Sequence, residues 1–170
     1  MTLKVLINSL GLFLILSVCV AQSTKNDSNK KTWPDLSGTW VLDNSRSQIK
    51  DKVVDYVLTI VHREPEIRIT KRYKQGGRDY LEELVYYTDG KPEFNSRTGH
   101  RDLETLTRWR GNKLFRRITS GAKGIQSSPP LEIVTTEEWE LSTDGKTLTR
   151  TILTTGVFSL KLKYVFSRSS

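Results

Sequence analysis

The sequence predicts a single all-β domain, an antiparallel up-and-down meander barrel of eight to ten strands. Three observations predict it. Runs that alternate apolar and polar residues, rich in Thr, Val, Ile and aromatics, recur through the chain, as half-buried strands do. Turn signals separate them at about ten-residue intervals. After residue 35 no stretch has the apolar period of a helix. A meander this long hides its edges by closing on itself.

The elements follow in order. Residues 1–21 lie outside the domain. Lys4 gives a short positive start, and Val5 to Val20 is largely apolar. Cys19 and Ala21 then offer the small residues of a signal-peptidase site, so residues 1–21 are expected to be a cleaved secretory signal. A second export reading stays open, because Leu16-Ser17-Val18-Cys19 resembles a bacterial lipobox and would leave Cys19 lipidated. Residues 22–34 are polar and expected to be a flexible segment. The barrel domain spans 35–170. Cys19 is the only cysteine, so the domain has neither a disulfide nor a thiolate metal site, and its core must hold it together.

Strands are expected at about 36–43, 54–62, 66–74, 79–87, 92–97, 103–110, 113–119, 131–141, 146–154 and 157–167. The turns set the register. With Asp144-Gly145 as a two-residue type I′ loop, Leu141 faces Leu148, Trp139 faces Arg150 and Glu137 faces Ile152. That puts Ile133, Glu137, Trp139, Leu141, Leu148, Arg150 and Ile152 on the interior face. Glu138, Glu140, Thr149 and Thr151 point outward, which argues against a lipid-facing outer-membrane barrel. A three-residue loop at Thr154-Thr155-Gly156 would pair Ile152 with Phe158. Gly111-Asn112 pairs Trp109 with Leu114, Thr107 with Arg116 and Thr105 with Ile118. A loop at Arg63 to Glu66 pairs His62 with Ile67, Ile60 with Ile69, Leu58 with Lys71 and Tyr56 with Tyr73. Asp89-Gly90 is expected to pair Val85 with Phe94.

Gly38-Thr39-Trp40 opens the first strand and resembles the G-x-W signature of the calycin superfamily, which holds the lipocalins, fatty-acid-binding proteins and avidins. With Ser37 to Leu42 near the start and Trp139 to Thr149 near the end, the chain resembles exported bacterial lipocalin-like domains of unknown function over roughly residues 35–168. The resemblance implies that Trp40 plugs the closed end of the barrel and that Arg168, past the last strand, lies across its ring, with Gly38 beside them. These would be structural residues. Asn44 to Lys52 is too short for the two helices that fatty-acid-binding proteins insert. Leu42 stands where avidins use polar residues for biotin.

The formal net charge is +8. For an exported chain this suggests no nucleic acid, and an anionic envelope surface as a possible partner. Acids and bases alternate through most of the chain, so a solvated mixed surface is the plainer reading. The charge expected inside the barrel is more informative. Glu137, Arg150, Arg116 and Lys71 project inward, with His62 and Glu83 as further candidates, and a buried charge must be paired or meet a ligand. One expectation is a self-satisfied network in which Glu137 answers Arg150 and Trp139 stacks on it. The other is a ligand site for a small apolar or amphipathic molecule, with candidate residues Arg116, Arg150, Glu137, Trp139, Trp109, Lys71, Tyr56, Tyr73 and His62. No cofactor or metal is expected: His62 and His100 have no ligand spacing, and there is no nucleophile elbow or phosphate loop. The function expected is ligand binding without catalysis. The alternative is an envelope-associated interaction module whose barrel is filled by its own side chains.

Overall fold

The computed structural model describes residues 32–50, 53–97, 101–122, 132–156 and 158–169, with the side chains of 94–97, 101–102 and 121–122 left out. The expected signal and the Cys19 site lie outside the described residues, as does most of the polar segment 22–34.

Ten antiparallel strands follow one another: β1 Gly38–Leu42, β2 Val54–Arg63, β3 Glu66–Gln75, β4 Arg78–Tyr87, β5 Asp89–Arg97, β6 Arg101–Arg110, β7 Lys113–Ala122, β8 Glu132–Leu141, β9 Thr147–Thr155 and β10 Leu160–Arg168. Their order in the single curled sheet is β4-β3-β2-β1-β10-β9-β8-β7-β6-β5. Every sequential pair is a neighbour except β4 and β5, while β1 and β10 join the two ends of the chain.

The expected alternation is clear on β2 and β8, while β7 and β10 each bury two consecutive residues, Leu114 with Phe115 and Val165 with Phe166. On β2, Tyr56, Leu58 and Ile60 are buried while Asp55, Thr59 and Val61 face out. On β8, Glu137 and Trp139 are buried between exposed Glu138 and Glu140. The late hairpin closes with Trp139 opposite Arg150 and Leu141 opposite Leu148. The turn itself differs from the expected type I′ pair: Gly145 is left-handed at φ 68° but Asp144 is not, and the Gly145 N–H donates to the Ser142 carbonyl, so the loop is longer while the register beyond it is unchanged. The β6–β7 pairs match the expectation. So do His62–Ile67, Ile60–Ile69 and Leu58–Lys71 on β2–β3. Near Tyr56 the ladder slips by one residue. Val54 faces Lys74 and Val57 faces Arg72, so Asp55 and Tyr56 together stand opposite Tyr73.

Two register expectations are corrected. Ile152 pairs with Leu162 rather than Phe158, and Phe158 is exposed. The cause is β8, whose ladder holds β9 through Thr155, so the chain cannot turn at Thr154. Gly156 there backs so closely on β8 that a Cβ would sit 2.7 Å from the Glu132 carbonyl oxygen. The shift is four residues, an even number, so Leu162, Tyr164 and Phe166 keep the inward face. Val85 pairs with Arg68, not Phe94, because β4 stays on β3 through Tyr87 and the Thr88 N–H donates to the Pro65 carbonyl. Asp89 already pairs with Arg108 on β6, and Pro92, which has no N–H to give, sits on the free strand β5.

The sheet therefore curls into a barrel whose β4 and β5 edges share no ladder, leaving one seam. The core collects toward one end. Trp40, Leu58, Ile67, Leu114, Trp139, Leu148 and Phe166 are each fully buried there. At the opposite end Leu103, Ile118, Ile152 and Leu162 are only half-buried.

Candidate functional site

The closed end is built on Trp40. Its ring is fully buried, and its Nε1–H donates to the Leu36 carbonyl at 3.0 Å. Trp40 pairs with Arg168 across β1–β10, and the guanidinium carbon lies 4.2 Å from the ring centroid, a cation–π contact. Arg168 is fixed by donating to the Ser37 carbonyl at 2.7 Å and to the Gly145 carbonyl at 2.8 Å. Gly38 makes room for this: at φ 134°, a Cβ there would lie 2.5 Å from Arg168 Nη1.

His62 and Trp109 belong to this end, apart from the other site candidates. Glu64 accepts hydrogen bonds from Trp109 Nε1 at 2.6 Å, from His62 Nε2 at 2.8 Å, and from the Thr88 hydroxyl. His62 Nδ1 accepts from the Leu36 N–H, which leaves the proton on Nε2 for Glu64. Partial burial pushes the Glu64 carboxyl up, but these three donors hold it below the usual carboxylate range. Trp33 stacks on Trp109 at 5.4 Å between centroids, with the two rings nearly parallel. Glu64 thus fastens the β2–β3 turn to β6 across the seam. Its spacing from Trp109 carries no local sequence signal, which is why sequence reasoning missed it.

Above the plug lies a charged layer. Glu137, 3% exposed, receives two hydrogen bonds from Arg150: Nη2 at 2.8 Å and Nε at 3.3 Å. Trp139 Nε1–H donates to the same carboxylate at 3.3 Å. Arg150 also lies 5.0 Å from the Trp139 ring centroid and 5.6 Å from that of Tyr164. Burial alone would push the Glu137 carboxyl up. The Arg150 and Arg116 charges and the Arg150 hydrogen bond outweigh it and bring it to about 2. Arg116 Nη1 reaches Glu137 only at 3.7 Å, and the buried Arg116 Nε has no hydrogen-bond partner. The Arg116 guanidinium sits 4.3 Å over the Tyr86 ring of β4, bridging the seam a second time.

Nearer the mouth, Lys71 is buried with its Nζ 3.5 Å from Glu82, which also accepts the Tyr73 hydroxyl at 2.9 Å. Burial and the Arg150 charge pull the Lys71 ammonium down to about 8, against Glu137 and Glu82. Glu82 replaces the expected Glu83. The Gly76-Gly77 turn puts Gln75 opposite Arg78 and therefore Lys71 opposite Glu82, so Glu83 points outward. That turn was the signal, and extending the register through it would have found Glu82. Tyr56 joins Tyr73 and Tyr164 in an aromatic cluster, with ring centroids 5.1 and 6.1 Å away.

Two spaces open on this layer. A cleft of about 840 Å³ runs along β4 and is walled by Leu84, Tyr86, Leu103, Thr105, Arg116 and Ile118. It takes in both faces of β4, so it opens through the seam. A smaller pocket of about 160 Å³ lies under Tyr56, Tyr73 and Tyr164, and Lys71 and Glu82 line both. The site candidates thus fall into two groups. Arg116, Arg150, Glu137, Trp139, Lys71, Tyr56 and Tyr73 form one layer, while His62 and Trp109 stay at the plug. Among the described residues, no three His, Cys, Asp or Glu side chains are placed to hold a metal ion.

A secretary abundant heat soluble (SAHS) protein from Ramazzottius varieornatus is similar in structure, with a TM-score of 0.52 over 82% of this chain and 100% of that chain, at 11% identity. The fold is lipocalin-like. At that identity the likeness is one of fold alone. No protein-family model and no curated protein matches the chain.

Proposed function

We propose that this lipocalin-like barrel binds a small amphipathic acid, entering through the β4–β5 seam, with its acidic head on Arg116 and its apolar tail along Leu84, Leu103 and Ile118. The observation that carries this is Arg116 on the wall of the 840 Å³ cleft, held to Glu137 only at 3.7 Å and with its buried Nε making no hydrogen bond. The volume suits one small ligand. Arg150 is the weaker candidate because Glu137 already occupies two of its donors. Export, by a cleaved signal or a lipid at Cys19, belongs to the same proposal and rests on the sequence. So does the envelope as its setting.

The test uses oleate to displace anilinonaphthalene sulfonate from the purified protein. Arg116→Gln should weaken oleate about tenfold to a hundredfold, the worth of one charge-assisted contact of about 1.5–3 kcal/mol. Arg72→Gln, on the exposed face of β3, should leave it unchanged. Equal loss in both variants, or no saturable binding, would overturn the reading. The second reading, an interaction module with a self-filled interior, draws on the Glu137–Arg150–Trp139 cluster, which answers its own charges. Absence of any ligand in native mass spectrometry of the protein from its host, together with no oleate binding, would favour it.

A further inference from the structure

Lys71 is not explained by packing. A lysine on the inward face of β3 could have been a leucine, and the neighbouring inward residue Ile69 is fully apolar. Its amine instead sits where the two spaces meet, walled by Tyr56, Tyr73 and Tyr164 on one side and by Leu84 and Tyr86 on the other. The Glu82 carboxylate stands 3.5 Å from Nζ, and Tyr73 holds that carboxylate in place. A buried amine, an apolar aromatic wall and a fixed carboxylate beside the nitrogen are the parts of a carbonyl-capture site.

We propose that Lys71 forms an imine with an aldehyde-bearing amphiphile seated in this cavity, with Glu82 as the counterion of the protonated imine. The free amine attacks the carbonyl carbon, forming a C–N bond as the C=O π bond breaks, and the proton given up by the nitrogen passes to the oxygen to give a neutral carbinolamine. Loss of that oxygen as water, with a second proton, leaves C=N–H⁺ on Nζ. In sum, aldehyde, amine and one proton give iminium and water, and nothing is oxidised or reduced. The positive charge is the same as that of the lysine ammonium it replaces, so Glu82 balances it without rearrangement. Burial supplies the reactive form: with its ammonium near 8, Lys71 holds on the order of a hundredfold more free amine at neutral pH than a solvated lysine.

This inference rests on the cavity binding amphiphiles, so its test carries an arm for each. The full chain is incubated with decanal and cyanoborohydride at pH 7.5, digested and mapped by mass. Reduction adds the aldehyde less one oxygen to the labelled lysine. Lys71 is expected to label at least ~10-fold faster than exposed Lys91, Lys146 or Lys161, given its larger free-amine fraction. Lys71→Arg should remove that label, which assigns it to the Lys71 amine. In the wild-type protein, which needs no altered fold, excess oleate should protect Lys71 and leave the surface lysines unaffected. Label distributed by exposure, or Lys71 labelling indifferent to oleate, overturns the inference. If oleate binds and Lys71 stays unlabelled, only the aldehyde chemistry falls. If oleate also fails to bind, the amphiphile reading falls with it.

Discussion

Glu137→Gln should lower the stability of the fold by about 3–5 kcal/mol, the range for removing one partner of a buried ion pair. Glutamine keeps the shape and an acceptor for Trp139, so packing is nearly conserved. What is lost is the charge that answers Arg150, with Arg116 and Lys71 close by. The three cations would then face one another in a layer that is largely buried. Acid should reproduce the effect in the wild-type protein. The Glu137 carboxyl sits at about 2 in the fold against an ordinary 4.5. Its contribution is therefore fully present above pH 4.5 and is lost as pH falls toward 2. A gap of that size corresponds to about 3 kcal/mol. Urea unfolding of both proteins between pH 7 and pH 2.5 checks this. The difference between them should shrink as pH drops, and a difference constant across the range would sink the account. Arg150→Met in the Glu137→Gln background should restore part of the loss, because it removes the cation closest to position 137 and leaves only Arg116 and Lys71 unanswered.

Trp40→Ala should cost about 3–5 kcal/mol, as removal of a fully buried large aromatic does. The indole fills the closed end, and without it Arg168 has no ring to lie on and the Leu36 carbonyl loses its donor. Trp40→Phe should cost distinctly less, since it fills most of the space and loses chiefly the Nε1–H. Gly38→Ala tests the same joint from the backbone side, because its Cβ would meet Arg168 Nη1. It should weaken the fold by about 1–2 kcal/mol, partly through strain at a positive φ. In an Arg168→Ala background that penalty should fall, because the clash partner is gone. Thermal unfolding of the single and double variants decides it: strict additivity would mean that Gly38 and Arg168 act independently.

Most of the fold was legible because hairpins are local. A turn pair such as Asp144-Gly145 or Gly111-Asn112 sets the register for a whole ladder. The buried charges Glu137, Arg150 and Lys71 then follow by counting in twos. The expected partnership of Glu137 with Arg150 was readable for the same reason, both residues lying on one hairpin. What was not legible depends on contacts that no turn encodes. Phe158 continues an unbroken alternation, so nothing in the sequence says that β9 runs on to Thr155 and leaves Phe158 in the loop. The unpaired β4 and β5 look like any other hairpin around Asp89-Gly90, because what separates them is the Pro65 carbonyl claiming the Thr88 N–H. Trp109 alternates inward like its neighbours. Only the folded position of Glu64 assigns it to the plug rather than to the cavity.

The seam makes this barrel mechanically uneven. Its wall is continuous hydrogen-bonded fabric everywhere but along one line, and that line is fastened low by Glu64 on Trp109 and midway by Arg116 on Tyr86. Past those two fastenings toward the mouth, β4 and β5 share no ladder, so entry of the amphiphile proposed above would need no strand to unfold. On that proposal, a molecule that draws the Arg116 guanidinium to itself would loosen the upper fastening as it docks. Admission and capture would then be governed by one side chain, and the lower fastening would keep the plug shut while the rim opens.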